Sequence, residues 1–331
     1  MKKLLVLIGS ICLAVMLVVS VMAGCAAPTP TPTPTPEKEK TLLIAGCGIG
    51  GAFYPYSTGL MTMINDFVPG YRAIAQVTGC SGENVRLIDS KKVDVAFIGG
   101  GTALQGFKAM GKFEKTHSLA LLSRLAGSYG FWMTGDPNIK TLDDLKGKRI
   151  AIGDPGSGTA IRGFATLEAI GFTENDFNPI HLNEQAAADA IKDGTVDAWF
   201  CSASATQASI VNLTTSKKTY FISQEKYIKA IADHYVETGD LAAPHVLPAG
   251  TYKGMDADYT TLITPQVICV HPDMDEELVY AITKALWEHM DLMHKIHAGC
   301  KEWKIEYNAE PMPIPMHPGA ERYYKEVGTI Q

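Results

Sequence analysis

The sequence predicts an α/β protein built as two lobes of like design. Three observations carry this. Strand patterns alternate with helix patterns through most of the chain, which implies parallel βαβ units. A helix–turn–strand unit recurs, ending first in Val93-Asp94-Val95-Ala96-Phe97 and later in Val196-Asp197-Ala198-Trp199-Phe200. Three strand ends run into glycine-rich turns, the place where open α/β sheets bind ligands. The 331 residues, 46% hydrophobic and 19% charged, suit about two domains or lobes with a sizeable core.

The elements follow in order. Residues 1–24 have a positive start at Lys2 and Lys3, an apolar run from Leu4 to Ala23, then small residues. This is an export signal pattern. Met22-Ala23-Gly24-Cys25 resembles a lipobox, so Cys25 is the expected lipidation site and the protein an extracytoplasmic, lipid-anchored one. Residues 25–40 hold the repeated Thr-Pro pairs, which favour extended polyproline II and read as a tether. Thr41–Ala45 is a buried strand, followed by a helix over Pro55–Phe67. Arg72–Val77 is a strand, Glu83–Asp89 a helix and Val93–Phe97 a strand. Thr141 caps a short helix before a strand at Lys148–Ile152. A helix over Thr159–Ile170 closes on Gly171. Asn183 opens a helix ending near Lys192, ahead of the strand Val196–Phe200. Capping signals at Asp273–Glu276 and apolar spacing through Ile296 predict one long C-terminal helix.

Composition excludes several functions. The formal net charge is −6, and loss of the leader lysines makes it more negative, so nucleic acid is not an expected partner. Seven cysteines with no CxxC pair exclude a zinc ribbon and argue against a disulfide framework. Gly46-Cys-Gly48-Ile-Gly-Gly51 fits a dinucleotide fingerprint, yet the second strand ends Val77-Thr78-Gly79-Cys80 without the needed carboxylate. Gly153-Asp-Pro-Gly156-Ser-Gly158-Thr159 lacks the lysine of a phosphate loop. No cofactor is expected. His289, His294 and His297 crowd one helix, but nothing completes a metal set, so no metal is expected either. No Ser/His/Asp elbow supports an enzyme.

What remains is binding. Gly48–Ser57, Gly79–Asn84 and Gly156–Thr159 each place a helix start at a strand end, where free N–H groups and the dipole favour an anion by about 0.3–1 kcal/mol. Arg86, Arg124 and Arg162 are candidate carboxylate clamps, with Arg162 best placed, just after the Gly-Ser-Gly-Thr loop. Cys47 and Cys80 both follow strands and could be neighbours.

The residues Gly50-Gly51-Ala-Phe-Tyr54-Pro55, Thr78–Leu87, Leu142–Gly153, Pro155–Thr159, Asp193–Ala198 and Leu247–Gly254 resemble the TAXI family of extracytoplasmic solute receptors, which serve TRAP-type secondary transporters. The resemblance implies a two-lobed, Venus-flytrap fold of the type II periplasmic-binding-protein kind. Lobe 1 would be 41–128 with 261–331 and lobe 2 would be 129–260, crossing near Gly127–Met133 and Thr260–Val270. It implies a small carboxylate or amino-acid ligand such as glutamate or 2-oxoglutarate, TRAP membrane subunits as partners, and a monomer. It places Tyr54, Ser81, Asn84, Gly156, Ser157, Gly158 and Thr159 in the site. Two loops depart from the family pattern: Gly99-Gly100-Gly101-Thr102, expected to enlarge the pocket, and Ser202-Ala-Ser204-Ala-Thr206, expected to add donors. Thr102 and Ser202 therefore join the candidates. A receptor for an ABC importer is the alternative, and an exported enzyme on the same fold a third reading.

Overall fold

The computed structural model describes residues 39–49, 51–205 and 207–331; the export signal and Cys25 lie outside them. Residues 39–331 form one compact unit. The strands are β1 (Lys40–Ala45), β2 (Tyr71–Gln76), β3 (Val95–Gly99), β4 (Ala120–Thr134), β5 (Arg149–Ala151), β6 (Asn178–Ile180), β7 (Ala198–Ala203), β8 (Tyr220–Phe221), β9 (Ala243–Leu247) and β10 (Tyr259–Val270). The helices are α1 (Phe53–Phe67), α2 (Ser81–Asp89), α3 (Gly100–Lys108), α4 (Gly158–Ala169), α5 (Glu184–Asp193), α6 (Ala208–Ser216), α7 (Ile228–Glu237), α8 (Glu276–Glu288), α9 (Met290–Ile296) and α10 (Pro318–Glu326).

The repeat read from the sequence is a repeat of structure. In the first half β1, α1, β2, α2 and β3 form a parallel unit with β1 between β2 and β3. In the second half β5, α4, β6, α5 and β7 do the same, with β5 between β6 and β7. The matching aspartates have matching duties. Asp94 accepts a hydrogen bond from the Leu43 N–H at 2.7 Å, and Asp197 accepts one from the Arg149 N–H at 2.8 Å. Each carboxylate holds a backbone N–H of its unit's central strand. Asp197 also takes the Arg149 guanidinium, which holds its carboxyl below the usual range.

Two long strands join the halves. β4 and β10 run antiparallel to each other, paired from Ile263–Tyr129 to Val270–Ala120, and the sheet order is β2-β1-β3-β10-β4-β7-β5-β6. Each half is thus a parallel unit extended by antiparallel crossing strands. Gly127 pairs with Pro265, and the register breaks between Pro265 and Val267. A β-bulge beside a proline that cannot donate marks the bend between halves. The buried clusters separate at the same point. One pair gathers residues 42–126 with 267–324, and the other gathers 129–262.

Local signals mostly act as expected. Asn183 caps α5 by accepting from the Ala186 N–H, and Thr141 with Asp144 forms a capping box on a 3-10 turn. Gly171 takes φ +87° past α4. Two expectations need correction. The long C-terminal helix is two helices, broken at His289, and its cap is Asp275, not Asp273. Its second part, α9, turns so that Met293 packs onto Gly59 of α1, while His289 stacks on Phe67 at 3.5 Å. The glycine triplet is also no open loop: Gly100 and Gly101 begin α3, and the next section shows what fills their space.

Candidate functional site

The carboxyl ends of the parallel strands from both halves meet. Between them lies a cavity of about 50 Å³, walled in sequence by Cys47, Ala52 and Phe53 after β1, Cys80 and Ser81 after β2, and Gly99 at the end of β3. The second half adds Gly158 and Thr159 after β5, Glu184 after β6 and Ser202 in β7, and the crossing strands supply Ser128 and Gln266. Equivalent turns of the two repeats therefore face one another. Larger hollows of about 240 and 470 Å³ lie elsewhere, one beside Arg124 and Glu310 and one beside Lys217 and Lys253. Neither is walled by the helix starts of both halves.

The halves are in contact. A Cβ on Gly158 would stand 3.1 Å from Ser81 Oγ and 3.6 Å from Thr102 Oγ1. A Cβ on Gly82 would stand 2.5 Å from the Gly156 carbonyl oxygen, so only glycine allows that backbone approach. At about 50 Å³ this is the narrowest of the hollows described.

Of the ten expected residues, the structure brings Ser81, Gly158, Thr159 and Ser202 to the cavity wall, with Thr102 just behind Gly158. Arg162 is buried behind Ser202. It donates from Nη1 to Ser202 Oγ at 2.6 Å and to Ser128 Oγ at 3.3 Å, and its Nε lies 3.7 Å from the Asp240 carboxylate. Asp240 is buried too, and burial raises its carboxyl above the usual range against the opposing pull of Arg162.

The other four serve elsewhere. Asn84 is fully buried; it donates to the carbonyls of Gly46 at 2.7 Å and Phe97 at 2.8 Å and accepts from Thr78. It ties three strand ends together and has no group left for a ligand. Ser157 spends its hydroxyl as the α4 cap, accepting from the Ala160 N–H. Tyr54 packs against the core of the first half, and Gly156 lines a separate hollow with Lys112 and His181. Arg86 donates to the Gly82 carbonyl of its own helix and Arg124 pairs with Glu310, so neither is a clamp here.

Of the triplet only Gly99 lines the cavity, and Gly100 and Gly101 do not enlarge it. A Cβ on Gly100 would stand 2.7 Å from the Pro265 carbonyl oxygen, and one on Gly101 would stand 2.2 Å from Asp240 Oδ1. The missing side chains admit the bend and a buried carboxylate, which fill the space. No group of three His, Cys, Asp or Glu among the described residues could hold a metal ion.

Sequence reading missed Glu184, Cys47, Cys80, Phe53, Ser128 and Gln266 as wall residues. Glu184 was findable, because the turn after β6 is the counterpart of the turn after β2. It is half-buried with no cationic partner among the described residues, and burial, then Asp154 nearby, raises its carboxyl.

These features define the fold of the periplasmic solute-binding proteins. Solved structures with this fold include an L-cystine ABC transporter protein from Listeria monocytogenes, 15% identical over 80% of this chain and 98% of that one, TM-score 0.50. A periplasmic transporter protein is 10% identical over 87% and 92%, TM-score 0.52. A protein of Bordetella bronchiseptica is 16% identical over 89% and 90%, TM-score 0.50. The chain belongs to the NMT1-like family, whose model matches residues 44–328.

Proposed function

We propose that the protein is an extracytoplasmic receptor, anchored through Cys25, that captures a small carboxylate or amino acid between two lobes and passes it to a membrane transporter. The lobes are 41–128 with 261–331, and 129–260. The observation that carries this is the meeting of equivalent strand-end turns from both repeats around one cavity, with the bend of the crossing strands beneath it. The cavity is collapsed, so the solute enters as the lobes part at Gly127 and Pro265, and it shifts the balance back toward closure. No bond in the solute is made or broken.

The wall chemistry narrows the solute. It has hydroxyls at Ser81, Thr159, Ser128 and Ser202, helix starts at α2 and α4, one carboxylate at Glu184, and no lysine or arginine. A zwitterion fits this better than a dianion: its carboxylate meets the helix starts and its ammonium meets Glu184. For the membrane partner, the family resemblance suggested TRAP subunits. The neighbour from Listeria monocytogenes is an ABC transporter protein, which supports the ABC alternative over TRAP.

A thermal-shift screen of amino acids and dicarboxylates tests the reading. A solute held at a hundred times its Kd stabilises by about 2.7 kcal/mol. An amino acid is expected to shift the midpoint most; no shift with any small polar solute would remove the receptor reading.

A further inference from the structure

Two thiols face the solute cavity from the same half. Cys47 follows β1 and Cys80 follows β2, and β1 and β2 pair in register up to Ala45 and Gln76. Both line the cavity wall, and the two thiols interact electrostatically, which opposes ionisation of the Cys47 thiol. They differ in access: Cys47 is 4% exposed, whereas Cys80 is half-buried. The remaining described cysteines, Cys201, Cys269 and Cys300, are buried in the cores of the two halves.

A second feature singles out this pair. Cys80 has φ 72° and ψ −153°, a region that belongs almost wholly to glycine and costs a side-chain-bearing residue about 1–3 kcal/mol. Gly79 directly precedes it, so the sequence holds a glycine one position away from where the backbone needs one. The Cys47 side has its own accommodation. A Cβ on Gly51 would stand 2.5 Å from Cys47 Sγ, so a residue with a side chain there would push the thiol out of its place. Nothing in the packing of α2 requires cysteine as its cap, because its hydroxyl-type capping partner is absent and Cys80 Sγ only approaches Ser81 Oγ at 3.9 Å. The strained backbone instead aims this side chain at the cavity and at Cys47.

We propose that Cys47 and Cys80 are a reversible dithiol–disulfide pair set in the wall of the solute cavity. The oxidant is a low-molecular-weight disulfide. The half-buried Cys80, as thiolate, attacks one sulfur of that disulfide, forming a mixed disulfide and releasing one small thiol as its thiolate. Cys47 then gives its proton to the small thiolate released in the first step and attacks the Cys80 sulfur; the second small thiol leaves as its thiolate, and the Cys47–Cys80 bond forms. One small disulfide is reduced to two thiols, and the protein dithiol is oxidised to one disulfide. The product bond ties the turn after β1 to the turn after β2, so it fixes the first-half wall of the cavity. The biological setting rests on the extracytoplasmic reading, where disulfides persist, but the chemistry does not.

The test uses the purified protein and oxidised glutathione. After treatment, free thiols are alkylated under denaturing conditions and the chain is digested without reductant. A cross-linked peptide joining Cys47 to Cys80 is expected, with loss of the mass of two hydrogen atoms, reversal by dithiothreitol, and full alkylation of Cys201, Cys269 and Cys300. Cys47→Ser is expected to stop at a glutathione adduct on Cys80, and Cys80→Ser to leave Cys47 unmodified. Full alkylation of both cysteines in the treated wild type, or a lasting glutathione adduct on Cys80 beside an alkylated Cys47, overturns the pair. Because no solute is present, this result is independent of the thermal-shift screen, and either reading can fail alone.

Discussion

Replacing Arg162 with methionine removes one member of a buried ion pair and leaves the other behind. The side chains of Arg162 and Asp240 are only 6% and 7% exposed, so solvent screens little of their interaction. Arg162→Met also strands Ser202 and Ser128, which receive its Nη1 donors. Breaking a buried pair costs about 3–5 kcal/mol, most of it from the charge left unpaired. At about 2 °C per kcal/mol for a chain of this size, the midpoint falls by about 6–10 °C. The pH dependence has a definite sign. Burial raises the Asp240 carboxyl, so the folded state binds that proton more tightly than the unfolded chain does. Its contribution is complete below the unfolded value, about 3.9, and is lost as pH rises through the folded value. Without Arg162 the folded value rises further, so the loss continues to higher pH and the gap to wild type widens from about pH 4 toward neutrality. Urea denaturation at a series of pH values measures this, together with Asp240→Asn and the double variant. The double variant is expected to regain about 1–3 kcal/mol over the sum of the singles. A deficit that does not vary with pH, with strictly additive singles, would refute the reasoning.

Three further outcomes follow from the same geometry. Gly101→Ala drives a methyl into Asp240 and should cost about 1–3 kcal/mol in urea denaturation, with most of that cost absent when Asp240 is also made glycine. Asn84→Ala removes the side-chain donor to the Phe97 carbonyl and one of two donors to the Gly46 carbonyl, which keeps the Thr78 hydroxyl, and should cost about 1–3 kcal/mol, measured the same way. Glu184→Gln removes a carboxylate whose folded value is raised by burial, so stability should rise at neutral pH and stay unchanged near pH 4; thermal midpoints across that window check it.

The architecture was legible because its signals are local and repeated. Strand runs, caps and the doubled Val-Asp motif each report on a few neighbouring residues, and the two aspartates turn out to clasp equivalent strands. The site was legible only in part. Glycine-rich turns told where chain ends converge but not which side chains remain free. Asn84 and Ser157 have the right chemistry for a ligand, yet groups within their own half of the chain already engage it: the Gly46 and Phe97 carbonyls and the Thr78 hydroxyl at Asn84, the Ala160 N–H at Ser157. Gly100 and Gly101 looked like open space because a sequence does not show what approaches from far along the chain; Pro265 and Asp240 do. Ser128 and Gln266 reach the cavity from the crossing strands, and no motif marks them. The break at His289 was hidden because apolar spacing continues through it while the axis turns.

The two crossing strands also set an order of assembly. The described residues of the second half's cores lie within 129–263, a continuous stretch of chain. The first half is split by it. Its core needs Ile268, Leu286 and Met293, and finally Tyr324, whose hydroxyl donates to the Leu122 carbonyl across 202 positions of sequence. During synthesis the inserted half can therefore close early, while β1 to β3 wait with an incomplete core until nearly the last residue has been made.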